Sequence, residues 1–124
     1  ALGNIGVKEL VDFVCKNFPS PDMFPPVKSE DGTQERKPSA DEPYSARVFK
    51  IVSDPYIGQL TYLRVLSGVL DSEHEVYNAS SRSKEKVNNF YLFKGKEQKN
   101  VHQAFPGEII AIAKLKHTNI NDTF

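Results

Sequence analysis

The chain has 124 residues, 39% of them hydrophobic, with 16 Lys and Arg against 16 Asp and Glu and a single Cys. This length allows one domain with a modest core plus appendages, and the zero formal charge excludes a whole-molecule field drawing it to nucleic acid or an anionic membrane. One thiol excludes an internal disulfide framework and fits a reducing, cytoplasmic setting, while no apolar run reaches membrane-spanning length.

In chain order, Val7, Leu10, Val11, Val14, Cys15 and Phe18 recur at the spacing of one helical stripe, which predicts an amphipathic helix with Asn4 as its cap and Pro19 near its end. Cys15 lies on that stripe and is expected to be buried and inert. Residues 19–43 hold six of the eight prolines and read as a linker, extended across Pro21–Pro26, then a solvated excursion or loose hairpin. Strands are predicted over residues 44–52, 60–69, 75–78, 87–93 and 109–115, with no helix between them, which implies a closed or sandwich-like antiparallel β fold.

The first two strands flank Asp54-Pro55-Tyr56-Ile57-Gly58-Gln59, a turn with Tyr56 placed to stack and Gln59 to donate. A second turn, Lys94-Gly95-Lys96-Glu97-Gln98-Lys99, offers cations that follow a phosphate backbone without reading sequence. Arg82, Lys84 and Lys86 form a weaker basic cluster, interrupted by Glu85. His74, His102 and His117 have no partners at metal-ligand spacing, the alternating Asp71, Glu73 and Glu75 read as solvation, and no Gly-x-x-x-x-Gly-Lys-Ser/Thr phosphate cradle occurs.

Phe49, Lys50, Ile51, Asp54, Pro55, Tyr56, Gly58, Leu60, Thr61, Tyr62, Arg64, Val65, Ser67, Gly68 and Leu70 closely resemble the central motif of the second domain of elongation factor G and its paralogues. Ala1, Asn4, Gly6 and Pro19-Ser20-Pro21 resemble the end of that family's nucleotide domain. Ala104, Gly107, Glu108, Ile109, Ala111, Leu115, Lys116, Thr118, Asp122 and Thr123 resemble the close of its second domain. The resemblance implies a piece of a larger translation factor: residues 1–18 from a nucleotide-binding domain, 19–43 a linker, and 44–124 a six-stranded antiparallel Greek-key β-barrel of the translation-protein type.

By the same resemblance the parent is a GTPase using GTP and Mg, whereas this chain carries no cofactor and is inactive alone. Ala1 is the only remnant of the nucleotide site, and Gly3 and Ile5 stand where many members carry lysine. The implied partners are the parent's nucleotide-binding domain and small-subunit ribosomal RNA, met by hairpin tips at one end of the barrel. Tyr56, Ile57, Gly58 and Gln59 form one such contact, Lys94, Gly95 and Lys96 another, with Lys50 and Arg64 on the strands flanking the first. Asp71-Ser72-Glu73, Asn88-Asn89 and His117 depart from the common pattern and point to a divergent paralogue. Two other readings stand beside this one: a related barrel binds flavin in oxidoreductases, which would colour the protein yellow, and a structural spacer would show no RNA affinity.

Overall fold

The structure is a computed structural model that describes residues 2–29 and 31–124. One helix, α1 (Val7–Asn17), and a 3-10 turn (Pro21–Met23) precede eleven strands. These are β1 (Val27–Lys28), β2 (Glu35–Arg36), β3 (Ser45–Asp54), β4 (Gly58–Ser67), β5 (Leu70–Asp71), β6 (Glu75–Asn78), β7 (Ser83–Lys86), β8 (Phe90–Lys94), β9 (Glu97–Val101), β10 (Gln103–Ala104) and β11 (Ile109–Ala113).

The helix forms where its spacing predicts, but its cap is Gly6 in the left-handed region at φ 75°, with no side-chain capping bond, rather than Asn4. It ends because Phe18 precedes Pro19, whose ring pushes the residue before it into extended backbone. No residue of α1 is buried, so Cys15 is exposed and not the buried thiol its place on the stripe suggests. Among the described residues nothing buries the apolar stripe.

The linker does more than span a gap. β1 and β2 pair as a short hairpin, with Val27 opposite Arg36 and Lys28 opposite Glu35. Pro21 lies so close to Gly107 that a Cβ there would overlap its ring. Farther on, Ser39 O accepts from Gly68 N at 2.8 Å, and Pro43 O accepts from Ser67 Oγ at 2.8 Å. The stretch is therefore seated on the β module along much of its length.

β3 and β4 form the long antiparallel hairpin read from the sequence, and they lead a five-stranded sheet in the order β3-β4-β11-β8-β9. The core lies under one face of it, where Val48, Leu63, Val65, Phe90, Ile110 and Ile112 are fully buried along with Val87. β6 with β7 and β5 with β10 make separate two-stranded ladders. Beyond β3 the sheet is continued by residues 121–124: Ala46 and Phe124 exchange backbone bonds of 2.9 Å each way, and Ala79 N reaches Thr123 O at 2.9 Å.

The described residues are thus mainly β and antiparallel, with one helix, but the ladders do not close into a ring. Among the described residues β9 is left as an edge, laddered with β8 alone. The sequence reading misses β7 and β9, taking Glu97–Lys99 as turn, because Ser83–Lys86 and Glu97–Val101 are polar strands that lack the apolar alternation on which such a reading depends, and it misses β5 and β10, which are only two residues long.

Candidate functional site

The β3–β4 tip is built by Asp54. Its Oδ1 accepts from Tyr56 N at 2.8 Å and Ile57 N at 2.9 Å, while Gly58 supplies φ 90° to complete the reversal. This locks the backbone and leaves Tyr56 standing free, 97% exposed. Ile57 is half-buried and Gln59 is exposed, its carbonyl accepting from Lys114 N at 3.0 Å.

The β8–β9 tip is a two-residue loop, Gly95-Lys96, closed by the pairing of Lys94 with Glu97. Gly95 sits at φ 62°, the sign a tight hairpin needs at its first loop position. Lys94, Gly95 and Lys96 are all exposed.

The register separates these tips. Thr61 pairs with Ile112, which pairs with Phe90; Tyr62 pairs with Ala111, which pairs with Tyr91. From Phe90, β8 runs toward the Arg64 end of β4, away from Asp54–Gly58. The two predicted contact segments therefore lie at opposite ends of the sheet, not at one end.

Lys50 and Arg64 belong to neither tip. Val48 pairs with Leu63 and Lys50 with Tyr62, which leaves Phe49 as the extra residue of a β-bulge. A bulge sets two residues against one. Phe49 lies 6.4 Å ring to ring from Tyr62, and Lys50 Nζ lies 5.8 Å from the centre of the same ring. On β11 the outward residue is Ala111, so small that Tyr62 of β4 and Phe93 of β8 meet across it at 5.6 Å; Tyr91 follows at 6.5 Å from Phe93. One pair nearer the start of β3, Arg47 lies opposite Arg64, and both are exposed.

Sequence alone does not single out Arg47, Phe49, Tyr62, Tyr91 and Phe93 as site residues. Tyr62-x-Arg64 and Tyr91-x-Phe93 alternate, which places each pair on one face. That the two pairs share a face requires the strand order β4-β11-β8.

Elsewhere the titratable groups are occupied or dispersed. Asp71 accepts from Gln103 at 2.9 Å, and Glu75 pairs with Lys84 at 3.6 Å. His74, His102 and His117 are exposed, and among the described residues no three His, Cys, Asp or Glu side chains gather as a metal site would require. The nucleotide remnant read at Ala1 lies outside the described residues.

These elements make an antiparallel β module with a seated linker and two exposed hairpin tips, the first held by Asp54. Residues 43–124 match the family model for elongation factor G domain 2, so the chain belongs to that family. It is 36% identical over 127 residues to elongation factor G of Orientia tsutsugamushi, in strain Boryong and equally in strain Ikeda, an alignment covering 99% of this chain. The chain spans 18% of the length of those relatives. A crystal structure from Thermus thermophilus superposes with a TM-score of 0.64 at 22% identity, over 95% of this chain and 16% of that one, and supports the fold.

Proposed function

We propose that this chain is the domain 2 portion of an elongation factor G-like translational GTPase, coupling a nucleotide-binding domain to the ribosome and resting on small-subunit ribosomal RNA. In that setting the antiparallel strands complete the six-stranded Greek-key barrel of translation proteins, residues 1–18 belong with the nucleotide-binding domain, and the parent works in the cytoplasm. The observation that carries this reading is the Asp54-locked tip, which holds Tyr56 out to solvent on the segment richest in family residues. A ring fixed by its backbone loses little entropy on stacking against a base. Tyr56 with Ile57, Gly58 and Gln59 forms one contact, Lys94, Gly95 and Lys96 a second, and Lys50 and Arg64 add charge between them.

GTP and magnesium belong to the parent's nucleotide-binding domain. The residues of this chain do not fit them, since the sequence has no phosphate cradle and no carboxylate cluster to share a metal among the described residues.

The test is ribosome association of the longer parent. Tyr56→Ala should weaken it, and Lys94→Ala with Lys96→Ala should flatten its salt dependence by up to about one unit of log-log slope for each phosphate no longer neutralised, with nucleotide affinity of the free parent unchanged. Normal association of both variants across the salt series would refute the docking role.

A further inference from the structure

The outer face of the five-stranded sheet, between the two tips, carries a surface that neither tip explains. The bulge at Phe49 turns both Phe49 and Lys50 toward Tyr62, and Phe49 remains 46% exposed at the end of a row of touching rings that continues through Tyr62, Phe93 and Tyr91. Arg47 and Arg64 oppose each other directly beside it. Like charges so placed destabilise a sheet.

Among the described residues no ion pair relieves them. The ion pairs among the described residues join Lys8 to Asp12, Lys28 to Glu35 and Lys84 to Glu75, so none engages Arg47, Lys50 or Arg64. Three carboxylates close to them in register already accept hydrogen bonds: Asp54 holds the tip amides, Glu108 Oε2 accepts from Phe105 N at 2.9 Å, and Asp122, beside Thr123 that bridges to Arg47, accepts from Asn78 Nδ2 and Asn119 N at 2.8 Å each. A chain that is neutral as a whole therefore gathers three cations that make no ion pair among the described residues around an exposed ring.

We propose that this outer face binds a single-stranded RNA segment, with an unstacked base laid on Phe49 and the flanking phosphates held by Arg47, Arg64 and Lys50. The choice of RNA over another polyanion rests on the translational reading above; the choice of single strand rests on the rings. A duplex hides its base faces, and a surface meant for phosphates alone has no use for an exposed aromatic row backed by three more rings. An acidic protein segment would satisfy the cations equally but would leave Phe49 without a flat partner. The small outward side chain of Ala111 keeps the centre of the face low, which allows Tyr62 and Phe93 to brace Phe49 from behind.

The experiment uses the 124-residue chain, a fluorescein-labelled single-stranded RNA hexamer, a blunt RNA duplex of the same length and poly-glutamate as a charge-only competitor, read by fluorescence anisotropy. The single strand should bind saturably, at least about fivefold tighter than the duplex. Phe49→Ala should weaken it roughly tenfold, the range expected for removing one base–aromatic stack. Arg47→Gln with Arg64→Gln should lower the log-log salt slope by about 0.7 for each phosphate no longer neutralised. Lys84→Gln, on the separate β6–β7 ladder, should stay within twofold of the unsubstituted chain. Equal duplex binding, full displacement by poly-glutamate at matched charge, an unaffected Phe49→Ala variant that retains the native circular dichroism spectrum, or no saturable binding at low millimolar RNA would each overturn the proposal. Because no ribosome is present and the tips are left intact, failure here leaves the docking role to its own test.

Discussion

Glu85 and His117, separated by 32 positions, are joined by a 2.6 Å hydrogen bond from the His117 backbone N–H to the Glu85 carboxylate, which is buried. Lys116 N at 3.2 Å and Thr118 Oγ1 at 3.1 Å complete the set. Nearby, Asp122 accepts from Asn78 Nδ2 and Asn119 N, each at 2.8 Å, so two carboxylates fasten the closing segment to the β6–β7 hairpin. Glu85→Ala removes one acceptor and strands three donors, which should cost roughly 2–4 kcal/mol in urea unfolding. Lys84→Ala, next to it but exposed, should cost less than about 0.5 kcal/mol.

Two buried hydroxyls have no partner among the described residues, Thr61 Oγ1 and Tyr44 Oη. Thr61→Val should therefore stabilise the chain by roughly 1 kcal/mol, since desolvation of an unpaired hydroxyl is removed and shape is kept. A drop in stability would reveal a partner.

Tyr44 adds a pH dependence. Burial pushes its phenol up from the ordinary 10.0, so the folded chain holds the proton that the unfolded chain releases. With the folded value raised, this contribution is fully present below pH 10 and declines as pH rises above it. Urea midpoints should fall above about pH 10 in the unsubstituted chain and fall less in Tyr44→Phe.

Three glycines with positive φ should separate strain from collision. A Cβ on Gly58, at φ 90°, meets nothing within 4 Å, so Gly58→Ala should cost only the left-handed penalty of about 1–2 kcal/mol. On Gly68 it would lie 2.6 Å from Glu42 O and 2.5 Å from Tyr44 N, backbone that cannot swing away. Gly68→Ala should leave little folded protein at 37 °C. Gly107→Ala should fall between them, because the obstacle is the Pro21 ring and the linker can lift.

The exposed stripe of α1 predicts that deleting residues 1–17 changes stability by less than about 0.5 kcal/mol, since the helix buries nothing. Deleting residues 1–38 should cost more, because Pro21 is taken from Gly107. Native Cys15 should react with a disulfide reagent about as fast as in urea; slow native reaction would mean the helix is covered.

The long β3–β4 hairpin is legible because branched and aromatic residues alternate on either side of Asp54-Pro55, and the helix because its period is unmistakable. What fails is counting by twos. Alternation along β3 puts Phe49 and Lys50 on opposite faces, but the bulge gives both of them to Tyr62. Lys50 and Arg64 stand out in the sequence for their charge and for their nearness to the tip, although their real neighbours are on other strands. Likewise Lys94 and Tyr56 look alike as turn residues, and only the pairing of β8 with β11 shows that they point away from one another's end of the sheet.

The joining of Ala46 to Phe124 by bonds in both directions has a mechanical consequence. Residue 46 lies at the start of β3, and the segment ending at 124 runs antiparallel to it. A pull between these two points loads the bonds one at a time, like a zipper, so the seam should peel at low force from the Phe124 end while the long β3–β4 ladder, lying outside the line of pull, stays paired.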